Sequence, residues 1–86
     1  MPACLPAKAR LGLARACYLQ PDLCLLDEPL AALDPALCDH VWRHVLRGLL
    51  SNSAVVITTT SPQLAMLADS CLVLRDGDAL QCGPYP

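Results

Sequence analysis

Two short apolar runs flank one long amphipathic segment, and this arrangement limits what the chain can fold into. Leu23-Cys24-Leu25-Leu26 lies between Pro21-Asp22 and Asp27-Glu28-Pro29, and Ala54 to Thr59 is rich in β-branched residues. Both patterns predict strands buried on both faces. Between them apolar residues recur in pairs, Leu37/Cys38, Val41/Trp42, Val45/Leu46 and Leu49/Leu50, with polar residues in the gaps. That spacing predicts a one-sided helix over 35–50, capped by Asp34 and with Pro35 in its first position. A helical crossover between consecutive strands implies that they pair in parallel.

The rest of the chain extends the alternation. Residues 8–19 are rich in Ala, Leu and Arg and predict a helix that stops at Pro21. Ser61-Pro62 starts a short helix through about Ala68, and Cys71 to Leu74 is a third strand. Asp76-Gly77 is a hairpin turn into Ala79-Leu80-Gln81-Cys82. The order α-β-α-β-α-β-β predicts an α/β fold with parallel strands, flanking helices and a C-terminal antiparallel hairpin.

Composition narrows the partners. The chain has 86 residues, of which 55% are hydrophobic and 16% charged. A chain of this size buries only roughly 60–65% of its unfolded surface, so strands this apolar expect cover from elsewhere. Net charge is −2 and the six basic residues are scattered, so no nucleic-acid partner is expected. No uninterrupted apolar run approaches the ~20 residues that span a bilayer. Lys8, Arg10 and Arg15 precede the first acid, but they lie beside or after apolar residues, which does not fit a targeting segment. There are six cysteines and no Cys-x-x-Cys; Cys17, Cys24, Cys38 and Cys71 sit in apolar segments and read as core thiols. His40 and His44 have a spacing that can hold a metal. Arg43 and Arg47 share their polar face and would repel a cation, so the pair reads as solvated.

The chemistry concentrates in LCLLDEPLAALD, residues 23–34. An apolar strand delivers two adjacent carboxylates at its C-terminal end, where open α/β sheets bind ligands. Consecutive strand residues point in opposite directions, so Asp27 and Glu28 would do different jobs. An acid in the first position suits Mg²⁺ held through water, and one in the second suits a general base. Taken alone, those residues are better described as a strand that merely ends in two solvated acids before a proline turn, and it is the surrounding sequence that reverses this.

The wider run LARACYLQPDLCLLDEPLAALDP resembles the ATP-binding-cassette (ABC) family, most closely its multidrug-resistance-associated exporters. In that family a Leu-Ala-Arg-Ala helix precedes the Walker B strand, then Asp-Glu-Pro and a D-loop; here these are residues 13–16, 23–28 and 31–34. Ala54 to Ser61 resembles the strand leading to the switch loop, and Leu72 to Gly77 the closing strand-Gly pattern. The resemblance implies a truncated P-loop NTPase subdomain over residues 8–86, the C-terminal half of an ABC nucleotide-binding domain, after a non-homologous segment 1–7. It implies ATP and Mg²⁺ as cofactors of the parent domain, Asp27 as the Mg²⁺ acid and Glu28 as the general base. Asp34 becomes the D-loop acid as well as a helix cap, and Thr60 occupies the position of the switch histidine. Implied partners are the remaining half of the ATPase domain, a second cassette domain and transmembrane domains, at the cytosolic face of a membrane.

Three departures limit this. The single lysine, Lys8, is followed by Ala9, so no Walker A motif occurs. Ala3-Cys4-Leu5-Pro6-Ala7 stands where the signature loop should end, and Thr60 replaces a histidine. The chain alone is therefore expected to be an inactive ATPase fragment of marginal stability, with its third strand deprived of its usual neighbour. A non-catalytic module that docks on a complete cassette domain, and a fragment of a DNA-repair-type ABC ATPase, are the alternative expectations.

Overall fold

The computed structural model describes residues 7–31 and 33–85. Segment 1–7 therefore lies, apart from Ala7, outside the described residues. Helix α1 (Ala7–Tyr18) is followed by β1 (Leu23–Asp27), α2 (Pro35–Val41), a π-helical segment (Trp42–Leu49), β2 (Ala54–Thr58), α3 (Pro62–Ala65), β3 (Cys71–Arg75) and β4 (Asp78–Gly83). The element order follows the expected alternation. Pro62–Ala65 is shorter than the helix expected to reach Ala68, and turns follow it.

β1 and β2 pair in parallel, from Leu23 opposite Ala54 to Asp27 opposite Thr58. The register is pinned at its start, where the Ala54 N–H donates to the Asp22 carbonyl at 2.8 Å and the Ser53 hydroxyl donates to the Pro21 carbonyl. β3 and β4 form a separate antiparallel pair. Asp76 and Gly77 both have positive φ, 51° and 82°, which is the turn geometry that matches strand twist in a two-residue hairpin. Leu80 is the extra residue of a bulge between the Leu74–Ala79 and Val73–Gln81 pairs. Among the described residues β3 pairs only with β4, so the two sheets stay apart.

One apolar cluster holds the chain together. Leu13 of α1, Cys24 of β1, Leu30, and Val41, Leu46 and Leu50 from the crossover are buried. Leu26 and Val55 pack against this cluster from the inner face of the first sheet. The outer face is bare: Leu25 is 70% exposed and Val56 53%. Burial on both faces, as the apolar runs predicted, is thus corrected to burial on one. The runs are apolar enough for two covers, and these residues supply one.

The crossover is not a continuous α-helix, which is the second correction. Asp34 caps it as expected, its Oδ1 accepting from the Leu37 N–H at 2.8 Å. After Val41 the backbone widens to the i→i+5 pattern, seen in the Leu50 N–H to Val45 carbonyl bond at 2.9 Å. The strict four-residue spacing of the apolar pairs supplies a reason. In an α-helix of 3.6 residues per turn each step of four overshoots by about 0.4 residue, and the stripe winds off the core. A wider turn undershoots slightly, so α followed by π keeps Val41, Leu46 and Leu50 together. Gly48 suits this tight backbone, because a Cβ there would meet the Arg43 carbonyl oxygen at 3.1 Å.

The cysteines divide by depth. Cys24 is buried, Cys17, Cys38 and Cys71 are half-buried, and Cys82 is exposed. Burial pushes the Cys38 thiol above its ordinary value, and the Asp34 carboxylate adds to this. The Cys38 thiol donates toward the Leu30 and Leu33 carbonyls. Burial likewise raises Cys17, with a smaller contribution from Cys24. A thiol whose folded pKa is raised stabilises the fold below its unfolded pKa, and that contribution is lost as pH rises through the folded value. Iodoacetamide at pH 8 should therefore label Cys82 well before Cys17 and Cys38, as read by peptide mass spectrometry, and urea should abolish the order. Equal rates in the folded chain would contradict the burial described.

Candidate functional site

The site begins at the C-terminal end of the parallel pair. Asp27 closes β1, and its register partner Thr58 closes β2. The Thr58 hydroxyl donates to Oδ1 of Asp27 in a short hydrogen bond. The same hydroxyl oxygen accepts from the Glu28 N–H at 3.0 Å, and the Thr58 carbonyl accepts from that N–H at 3.1 Å. One threonine therefore orients the first carboxylate and anchors the backbone of the second acid.

Glu28 adopts φ of +45°, a left-handed conformation unusual for a non-glycine residue. Pro29 follows and crowds its backbone further. The turn is closed by the Ala31 N–H donating to the Glu28 carbonyl at 3.3 Å, with Leu30 buried in the core. Strain of this kind persists only where neighbouring contacts over-determine the backbone, and it gathers at functional sites.

A cleft of about 550 Å³ opens between this turn and the segment after β2. Glu28, Leu30 and Leu33 line one side, and Thr59, Thr60 and Ser61 the other. The Ser61 N–H donates to Oγ1 of Thr59 at 3.1 Å, which orders the backbone around Thr60. Glu28 and Thr60 thus share one cleft, and Asp27 lies beside it at the strand end. Asp34 is engaged elsewhere, with its Oδ1 on the first turn of α2. Among the described residues no group of three or more His, Cys, Asp or Glu side chains gathers as a metal cluster. No described helix is long and apolar enough to cross a membrane.

No protein-family model matches the chain. Individual relatives do. The metal resistance protein YCF1 of Saccharomyces cerevisiae is 44% identical over 80 residues, which is 91% of this chain and 5% of that protein. ATP-binding cassette sub-family C member 3 of Homo sapiens is 37% identical over 92% of this chain and 5% of its own length. The probable non-intrinsic ABC protein 5 of Arabidopsis thaliana is 37% identical over 91% of this chain and 24% of its own length. The chain is a stretch of ABC sequence of the C-family type. It spans between about one-twentieth and one-quarter of the length of these relatives.

In this ABC-type chain, sequence reasoning found the paired acids but missed Thr58. The only signal was a β-branched residue with a hydroxyl at the end of a strand, and its importance depends on a pairing register that spans 31 positions. Replacing Thr58 by Val should remove the hydroxyl and cost about 1 kcal/mol, with faster hydrogen exchange at the Glu28 amide, while Thr58→Ser keeps both near normal. Glu28→Gly should stabilise the fold by about 0.5–1 kcal/mol by relieving the left-handed backbone, and Glu28→Ala should not. Urea midpoints check both. A neutral or destabilising Glu28→Gly would mean that the turn is not strained.

Proposed function

We propose that this chain is the Walker B to switch-loop part of a P-loop NTPase domain, in an ABC protein that couples ATP binding and hydrolysis to export across a membrane. The observation that carries the reading is the joining of Asp27 and Glu28 through Thr58, with Thr60 on the same cleft as Glu28. The donor set is all oxygen, exposed at a strand end, and one Asp27 oxygen is already oriented. Mg²⁺ takes one or two carboxylates and keeps its waters, so Asp27 fits the ion. When bound, the ion neutralises charge on phosphate oxygens.

The proton chemistry falls to Glu28. Its carboxylate borders the cleft and is the group suited to take a proton from an attacking water. Thr60 can hold a hydrogen bond there, but a hydroxyl does not shuttle protons near neutral pH. Asp34, in this reading, serves as cap and D-loop acid together. The residues present do not fit a triphosphate by themselves, because the sequence has no Gly-rich loop ending in Lys-Ser/Thr. Residues 8–86 are thus proposed as the C-terminal half of a cassette domain, with 1–7 outside it.

The bare outer face of the first sheet supports the partner reading. Leu23, Leu25 and Val56 make one apolar surface beside two strand edges. The remaining half of the ATPase domain would cover it, and a second cassette domain and transmembrane domains would complete the assembly at the cytosolic face of a membrane. The purified 86-residue chain should show no magnesium-dependent ATP hydrolysis. Placed in a complete cassette domain, Glu28→Gln should lower turnover by roughly 10²–10⁴-fold with little change in nucleotide binding. Clear hydrolysis by the chain alone, abolished by Glu28→Gln, would overturn the proposal that it is inactive by itself.

A further inference from the structure

Away from the acid pair, the crossover carries two histidines that the ATPase reading leaves unused. His40 is in α2 and His44 in the π-helical segment, and both are exposed. Their ring centroids are 4.4 Å apart with planes tilted by 41°. A metal–imidazole bond of about 2.0–2.1 Å puts the metal roughly 3.2 Å from each ring centre. Two such rings on one metal then have centres about 4.5 Å apart at a right-angled ligand angle, and about 5.2 Å apart at a tetrahedral one. The observed spacing is within the reach of a single metal.

The charge objection raised by the sequence is answered by ion pairing. The Arg43 Nε lies 3.2 Å from Asp39 Oδ2, and Arg47 Nη2 lies 3.2 Å from Asp69 Oδ1. Arg47 also donates to the Leu67 carbonyl at 3.0 Å and lies over the Trp42 ring. Each guanidinium beside the imidazoles therefore has a carboxylate partner. Both histidines lie on the exposed side of the crossover, whose opposite side carries buried Val41 and Leu46.

We propose that His40 and His44 form a two-histidine site for a divalent transition metal of the kind that imidazole binds, such as Ni²⁺, Cu²⁺ or Zn²⁺. Water completes the coordination shell. The site is independent of Asp27 and Glu28, whose oxygen donors suit a hard cation.

Ni²⁺ is the probe, since Cu²⁺ would oxidise the thiols. The whole chain is titrated at pH 7.5 with a non-thiol reductant, by calorimetry and by paramagnetic broadening of the histidine ring signals. Saturable binding of one Ni²⁺ should broaden His40 and His44 first, and His40→Asn and His44→Asn should each weaken it at least tenfold. Both positions are exposed, and circular dichroism of each variant verifies that the fold is kept. Unchanged affinity in the double variant would place the metal elsewhere and overturn the proposal, as would an absence of ring broadening.

Discussion

Everything else in this chain depends on one crossover lying down on one face of one strand pair. β1 and β2 are parallel and cannot be joined by a local turn, so their pairing stabilises nothing until the intervening helix packs. Val41, Leu46 and Leu50 supply that packing against Cys24 and Leu30. The register that results sets the chemistry at the strand ends. A slip of one residue would turn Thr58 away from Asp27 and present a side chain from the other face of the sheet. The carboxylate geometry is thus a consequence of the core and would be lost with it.

The change from α to π inside the crossover belongs to the same constraint. Apolar pairs repeated every four residues do not stay on one side of an ideal α-helix across 35–50. The backbone widens after Val41, and Leu46 and Leu50 are thereby kept on the cluster. The polar positions benefit as well: Asp39, Arg43 and Arg47 fall where they can pair with one another or with Asp69. Exposed pairs of this kind add little stability, in the range of about 0–1 kcal/mol. Their effect is on the local potential around His40 and His44 rather than on the fold.

Local signals were legible and distant ones were not. Asp34-Pro35 announced a helix start, and Asp76-Gly77 a hairpin turn, because each rests on a few neighbouring backbone angles. The acid pair was also legible, as was the family, since both are written in contiguous residues. Thr58 was invisible because its role comes from cross-strand register. Two-sided burial was wrong for a related reason. Leucines at 23 and 25 record that a surface wants cover, but a sequence does not state whether its own residues provide it. The core reading of the cysteines holds in full only for Cys24, whereas Cys17 and Cys38 pack at the margin of the cluster and are half-buried.

The same contrast explains why half of a site can be well formed without the other half. Glu28 holds a left-handed φ before a proline because two acceptors on Thr58 take its N–H, its own carbonyl closes the turn to Ala31, and Leu30 anchors the loop in the core. All four constraints come from residues within the chain, so the strain at Glu28 does not need a nucleotide or a second domain to sustain it. A phosphate cradle is different, since it needs backbone donors that no segment of this sequence provides. In the proposed ATPase, the parts that would set the water and the metal are therefore preorganised here, and the parts that would bind the phosphates must arrive with the partner. Preorganised groups of this kind contribute through the geometry they hold before substrate arrives. That geometry is already present where Asp27, Glu28 and Thr58 meet.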